Sequence, residues 1–193
     1  MTLLPFLSQL LLMAVLFAML LGKLIKQPVP RLALLAILLV LGFAVPVAGS
    51  TAAQWLRSVL GDLSVLTLVL FADILARRLW NRTLLEPASR TALLLSVAVV
   101  GVVFYPMALG VGPVDPYRWG FAPMGLVAVL CLASIVAWLR RARGLAVFLL
   151  LPLLAYNLHL LESDNLWNYL LDPLLVVYAL VQGAGVVLRR FKA

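Results

Sequence analysis

Long apolar runs, separated by short stretches rich in arginine, proline and glycine, set the pattern of this chain. A run of about 20 apolar residues is long enough to form a helix that crosses a lipid bilayer. No internal repeat of the kind that marks many transporters accompanies the runs. The predicted membrane spans cover residues 3–22, 32–49, 61–76, 91–110, 122–139, 145–161 and 173–188.

Composition agrees with lipid as the main solvent of the chain. Hydrophobic residues make up 65% and charged residues 11% of its 193 residues, whereas about a quarter of the residues of a soluble protein are charged. The spans follow one another with short loops, so a single polytopic domain over residues 1–193 is predicted. The predicted fold class is an all-α integral membrane bundle of about seven transmembrane helices.

The positions of the basic residues predict an orientation. Loops one, three and five and the C-terminal end hold 13 of the 15 Lys and Arg residues, and the alternate loops hold only Arg57 and Arg118. Basic loops stay in the cytoplasm, which places the N-terminus outside and the C-terminus inside a bacterial inner membrane. Because Lys23 follows the first run, that run is predicted to be a span and not a signal peptide. Six spans with one re-entrant segment are the alternative.

The net charge of +8 would suit a nucleic-acid partner if it were clustered on a polar domain. Here the charges lie at span ends, which indicates contact with anionic lipids on the cytoplasmic side and no nucleic acid. The lone Cys131 lies in an apolar run and predicts neither a disulfide framework nor a cysteine metal site.

Several shorter patterns predict local structure. Residues 50–60 are typical of an amphipathic turn at the membrane interface, and Pro46 predicts a bend in the second span. Asp73 precedes Arg77 by four residues and predicts an ion pair on one helix face. Asp172 and Pro173 are favoured residues for the N-cap and first position of the last helix.

The candidate catalytic residues are His159, Glu162 and Asp164, in the most polar stretch of the chain. Their spacing predicts that His159 and Glu162 share one helix face, where they could act as a base with its orienting acid or bind a divalent cation. A metal is not favoured, because no second cluster of such ligands exists, and no cofactor is predicted. The alternative is a structural polar cap at the interface.

The candidate ligand-binding residues are Arg118, Trp119 and Asn157. An arginine among aromatic residues can bind a phosphate or carboxylate, pair with Glu162 or Asp164, or extend to the membrane surface. Asn157 either contacts another helix or lines a cavity. Connections after the fourth and sixth spans emerge on the same side, so Arg118 is expected to meet the acidic residues there.

Two functions follow from a polar outer rim on an otherwise apolar chain. The first is an accessory or binding protein of the cell envelope that handles lipid-linked or glycan substrates beside a larger membrane protein. The second is a membrane-embedded hydrolase or transferase that acts on a lipid headgroup at the outer interface. The sequence leaves open whether the protein is an enzyme.

Overall fold

The computed structural model describes the backbone of residues 3–25 and 27–191. Within that part the chain forms nine α-helices, one short β-hairpin and one 3₁₀ helix, which confirms the all-α class. It divides into two compact units, residues 1–63 with 68–84 and residues 64–67 with 85–193. The single domain stays a prediction. Two basic residues behind the predicted orientation, Lys26 and Lys192, lie outside the described residues.

The first unit is built from α1, α2, α3 and most of α4. Small side chains of α1, among them Ala14 and Ala18, pack against Leu75 of α4, with Leu39 of α2 beside them. Near the end of α4 the Nε atom of Arg77 lies 3.5 Å from Oδ2 of Asp73, which confirms the predicted ion pair. These helices are α1 (Leu3–Leu24), α2 (Pro28–Ala44), α3 (Ala52–Leu60) and α4 (Val65–Trp80).

Pro46 ends α2 instead of bending it, so the helix predicted over residues 32–49 stops at Ala44. Proline cannot donate the next helical hydrogen bond and disfavours helical backbone in the residue before it. Strands β1 (Pro46–Val47) and β2 (Ser50–Thr51) then pair in an antiparallel hairpin. The two turn residues between them have positive φ, as a tight hairpin turn requires.

The stretch predicted to lie at the interface forms helix α3. Thr51 and Gln54 exchange hydrogen bonds between side chain and backbone, and this capping box fixes the start of the helix. Trp55 donates its indole N–H to the carbonyl of Val47 at 3.1 Å. Trp55 and Val59 are both exposed, which gives the helix the apolar outer face typical of interfacial helices.

The second unit pairs α5 with α9 and α6 with α7. At Gly101 a side-chain carbon would lie 2.5 Å from Val176, so α5 and α9 approach closely because that position has no side chain. Ser134 of α6 donates to the carbonyl of Ala146 in α7 at 3.1 Å. The elements are α5 (Pro87–Ala108), the 3₁₀ helix (Pro116–Gly120), α6 (Met124–Leu139), α7 (Arg143–Asn157), α8 (Trp167–Leu170) and α9 (Pro173–Phe191).

Asp172 caps α9 as predicted and also accepts hydrogen bonds from the segment at the start of α4. Its Oδ1 atom accepts the Leu175 N–H at 2.8 Å, which is the expected N-cap bond. Its Oδ2 atom accepts the Ser64 N–H at 2.9 Å and the Thr67 hydroxyl. All four side chains are buried, so this carboxylate joins the start of α4 to the start of α9.

Among the described residues, one helix is long and apolar enough by itself to cross a membrane. It is α5, whose 22 residues extend about 33 Å, close to the hydrocarbon thickness of a bilayer. The other apolar helical stretches have 10–17 residues: Phe6–Gly22, Val29–Ala44, Met124–Leu139, Arg143–Asn157 and Pro173–Gly185. The seven-span arrangement therefore stays a prediction.

Candidate functional site

Helix α7 ends at Asn157, four residues before the predicted end of the sixth span. His159 has a left-handed backbone with φ of 49°. The N–H groups of His159 and Leu160 donate back to carbonyls of the last helical turn at 3.0 and 3.1 Å. This pair of bonds is the Schellman motif that terminates helices. The prediction that His159 and Glu162 share a helix face is therefore wrong, because the chain leaves the helix before either residue.

The loop after α7 folds around the buried side chain of Tyr169. Its phenol oxygen accepts the Leu161 N–H and donates to the Leu161 carbonyl, both at 3.2 Å. Burial raises the pKa of this phenol, so it keeps the proton that it donates. Ser163 receives further bonds from the Asn165 N–H and the Asn168 amide, at 3.2 and 2.7 Å. Polar residues of this loop therefore hold the loop itself in place.

The loop after α5 contacts the loop after α7 through three hydrogen bonds. In each of them a backbone carbonyl of the loop after α5 is the acceptor. The Trp167 indole donates to Pro116 at 2.9 Å, and the Asn165 amide donates to Tyr117 at 2.9 Å. The Leu166 N–H donates to Gly120 at 3.0 Å. Asn165 and Leu166 have no exposed surface. Residues 115–121 and 158–172 thus form one structure, here called the two-loop platform.

Aromatic packing against α5 also supports the two-loop platform. Phe104, near the end of α5, is buried and contacts the ring of Trp167 at a centroid distance of 4.4 Å. It also contacts Tyr117 at 6.4 Å, and Tyr117 meets Phe121 edge to face at 5.6 Å. Such tilted and perpendicular ring pairs are favourable arrangements. The platform is therefore held both by hydrogen bonds and by ring packing against Phe104 of α5.

The predicted ligand-binding residues lie on the surface of this platform or beside it. Arg118 and Trp119 are exposed between the buried residues Pro116 and Gly120. Asn157 is also exposed, and its amide donates to the Leu153 carbonyl of its own helix at 2.8 Å. That bond is neither of the two roles predicted for Asn157.

The two segments that were expected to converge do meet, but other residues join them. His159, Glu162 and Asp164 are exposed on the second loop. In the described part of the chain, the bonds between the loops use backbone carbonyls and neutral side chains, and the Arg118 guanidinium is not among them. The exposed charges are one arginine and three carboxylates, Asp115, Glu162 and Asp164.

Sequence reasoning missed the residues that build the platform: Tyr117, Gly120, Asn165, Trp167 and Asn168. The concentration of asparagine and aromatic residues after α7 was a visible signal. Their partners were not, because a backbone carbonyl accepts a hydrogen bond whatever its side chain is.

The chemistry open to the platform follows from these groups. Within the described residues, no group of three or more His, Cys, Asp or Glu side chains could hold a metal ion. The platform displays an exposed guanidinium, an exposed indole and exposed carboxylates on an ordered backbone, and these groups suit binding. Comparison with protein-family models, with curated proteins and with solved structures finds no match to this chain.

Proposed function

We propose that this chain is a polytopic protein of a bacterial inner membrane. The support is the apolar surface that its helices expose. In α6, which carries no charged residue, only Leu130, Ser134 and Ala137 are buried. Exposed side chains of the same helix include Val129, Leu132, Ile135, Val136 and Leu139. Apolar patches of this kind are unfavourable in water and mark contact with lipid or with another protein.

The distribution of basic residues supports seven spans with the N-terminus outside. On that arrangement the hairpin, α3 and the two-loop platform lie at the outer face. The arginine-rich segments after α4 and α6 then lie in the cytoplasm, where the bilayer surface is negatively charged. Helices shorter than 20 residues can cross where the bilayer thins or where flanking residues extend to the interface.

The orientation is tested by labelling single cysteines in whole cells. With Cys131 replaced by serine, Trp119→Cys should react with a membrane-impermeant maleimide, because the platform faces outward. Trp138→Cys is the matched control, since the two tryptophans are 58% and 56% exposed. Trp138 lies at the predicted inner end of α6 and should react only after the membrane is opened. Equal labelling of the two positions in intact cells contradicts seven alternating spans.

We propose further that the protein binds a partner or substrate of the cell envelope through the two-loop platform. The observation that carries this proposal is the docking of the two loops, which fixes the backbone of the loop on which Arg118 and Trp119 are exposed. A loop backbone that is ordered in advance lowers the entropy cost of binding. Loops placed on a rigid scaffold commonly carry binding residues.

The nature of the ligand follows from the groups displayed. A guanidinium can donate two parallel hydrogen bonds to a phosphate or carboxylate, and an indole ring supplies an apolar surface with a polar edge. A lipid-linked or glycan substrate presented by a larger membrane protein offers both features. Hydrolysis is less well supported, because α7 ends at Asn157 and His159 therefore does not share a helix face with Glu162.

Photo-crosslinking from position 119 tests the binding proposal. A benzophenone amino acid at position 119 should yield an adduct in cells that the same amino acid at position 138 does not yield. Arg118→Ala should lower the yield of that adduct about tenfold, the effect of losing about 1.4 kcal/mol of binding.

His159→Gly serves as the control for the crosslinking experiment. Glycine accepts a left-handed backbone without strain, so this variant should keep the helix end and leave the yield unchanged. Identical adducts from positions 119 and 138, or a yield that survives Arg118→Ala, would contradict a binding role for the platform.

A further inference from the structure

Arginine residues lie at neighbouring helix ends of the first unit. Arg31, in the second turn of α2, donates from Nη2 to the carbonyl of Arg78 at 3.0 Å. Arg78 is in the last turn of α4, beside Arg77. A side-chain carbon at Gly22 of α1 would lie 3.6 Å from Nη1 of Arg78. The residues Arg31, Arg77 and Arg78 are here called the arginine cluster.

The acidic residue beside this cluster is already engaged. Asp73 is fully buried, accepts the Leu84 N–H at 2.8 Å and pairs with Arg77 at 3.5 Å. The three guanidiniums of the arginine cluster and the Asp73 carboxylate together carry a charge of +2. Like charges near one another repel, and a bound anion offsets that repulsion.

Arg31 also carries an unused hydrogen-bond donor. Among the described residues, its buried Nε atom has no hydrogen-bond partner. A buried donor without a partner costs about 1–3 kcal/mol, so such a group is usually satisfied by a ligand, an ion or water. The Nε–H of an arginine is one of the donors that bind phosphate side-on. The unpartnered Nε–H of Arg31 and the positive charge of the arginine cluster therefore both favour an anion with acceptor oxygens, such as phosphate.

We propose that the arginine cluster binds a phosphate group, supplied by the headgroup of an anionic phospholipid in the cytoplasmic leaflet. The proposal rests on the membrane placement proposed above, which brings this end of the unit to the inner interface. An anionic headgroup, rather than a zwitterionic one, matches the cluster because its charge is not neutralised by its own ammonium group. Free phosphate offers the same oxygen atoms but no acyl chains.

Native mass spectrometry of the full chain in a neutral detergent tests this site. Wild-type protein titrated with phosphatidylglycerol should bind it more tightly than phosphatidylcholine of the same acyl chains. Arg31→Gln should lower the affinity for phosphatidylglycerol about fivefold, the effect of one basic contact near a membrane surface. Arg57→Gln is the matched control, because that arginine of the same unit pairs with Asp62 at 3.1 Å and should leave the affinity unchanged.

Each outcome decides a separate point. Equal affinity for the two lipids, or equal losses in Arg31→Gln and Arg57→Gln, overturns the proposal. Inorganic phosphate that displaces phosphatidylglycerol from wild type, but has no such effect on Arg31→Gln, supports a phosphate site and identifies free phosphate as a competing source. Failure of the cysteine-labelling experiment would instead remove the membrane placement, whatever the lipid titration shows.

Discussion

Asp172→Ala should destabilise the protein by about 3–5 kcal/mol, since it removes an N-cap and leaves two other buried donors without an acceptor. The lost bonds are those from the Leu175 N–H, the Ser64 N–H and the Thr67 hydroxyl. None of these donors can form a replacement hydrogen bond with water, because Ser64, Thr67 and Leu175 are buried. The midpoint of thermal unfolding, followed by circular dichroism in detergent, measures the loss.

Asp115→Ala is the matched control for this loss. Asp115 also caps a helix, accepting the Tyr117 N–H at 2.9 Å, but it does so at the surface. Water can replace its carboxylate, so its removal should cost about 1 kcal/mol or less. Similar destabilisation by both substitutions would show that the contacts of Asp172 with Ser64 and Thr67 contribute nothing to stability.

The comparison between these two aspartates shows which parts of the fold a sequence can predict. An N-cap followed by proline is a local pattern, and the cap of Asp172 on Leu175 was predicted correctly. The ion pair of Asp73 with Arg77 is equally local, since helix geometry fixes residues four apart. The bonds that Ser64 and Thr67 donate to Asp172 span more than 100 residues, and no local pattern signals them.

Helix ends were harder to predict, because apolar residues continue past them. The run at Leu158–Leu161 looks like more of α7, yet the backbone turns left-handed at His159. Arg141 ends α6 in the same conformation, with φ of 62°. Glycine is the usual residue at such positions, and Gly110 after α5 follows that rule. Histidine and arginine carry no comparable signal, so the boundary that decided the geometry of the candidate catalytic residues was not visible in the sequence.

The candidate site was predicted at the level of segments and not of contacts. Antiparallel connectivity was enough to expect that the loop containing Arg118 meets the loop containing Glu162. The expected attraction between those charges was not what joined them. Hydrogen bonds from Asn165 and Trp167 to main-chain carbonyls did, and these depend on the exact path of the opposite backbone.

Gly120→Ala should separate the two loops of the platform without removing Arg118, Trp119 or any other exposed side chain. An alanine Cβ at this position would lie 1.8 Å from Oδ1 of Asn165 and 2.8 Å from Cδ1 of Trp167. Asn165 cannot move aside, because its amide donates to Tyr117 and its Oδ1 accepts the Trp167 N–H, both at 2.9 Å. Overpacking with loss of these bonds should cost about 2–4 kcal/mol.

Two measurements should respond to Gly120→Ala together. Hydrogen exchange of the amides in residues 115–121 should accelerate, because the segment no longer docks. Crosslinking from position 119 should fall along with it, although Arg118 is unchanged. Gly125→Ala is the control, since a side chain at Gly125 meets nothing within 4 Å and alanine favours the helix; it should leave both readouts at the wild-type level.

A double substitution separates the clash from a general loss of stability. Asn165→Ala removes the atom that Gly120→Ala would strike, so the two changes together should destabilise the protein by less than the sum of their separate effects. Additive losses would mean that Gly120 and Asn165 are not in contact. If crosslinking survives in Gly120→Ala while the amides of residues 115–121 exchange faster, the ligand does not need a docked loop. The binding role would then belong to Arg118 and Trp119 as isolated side chains, and the hydrogen bonds from Asn165 and Trp167 would serve stability alone.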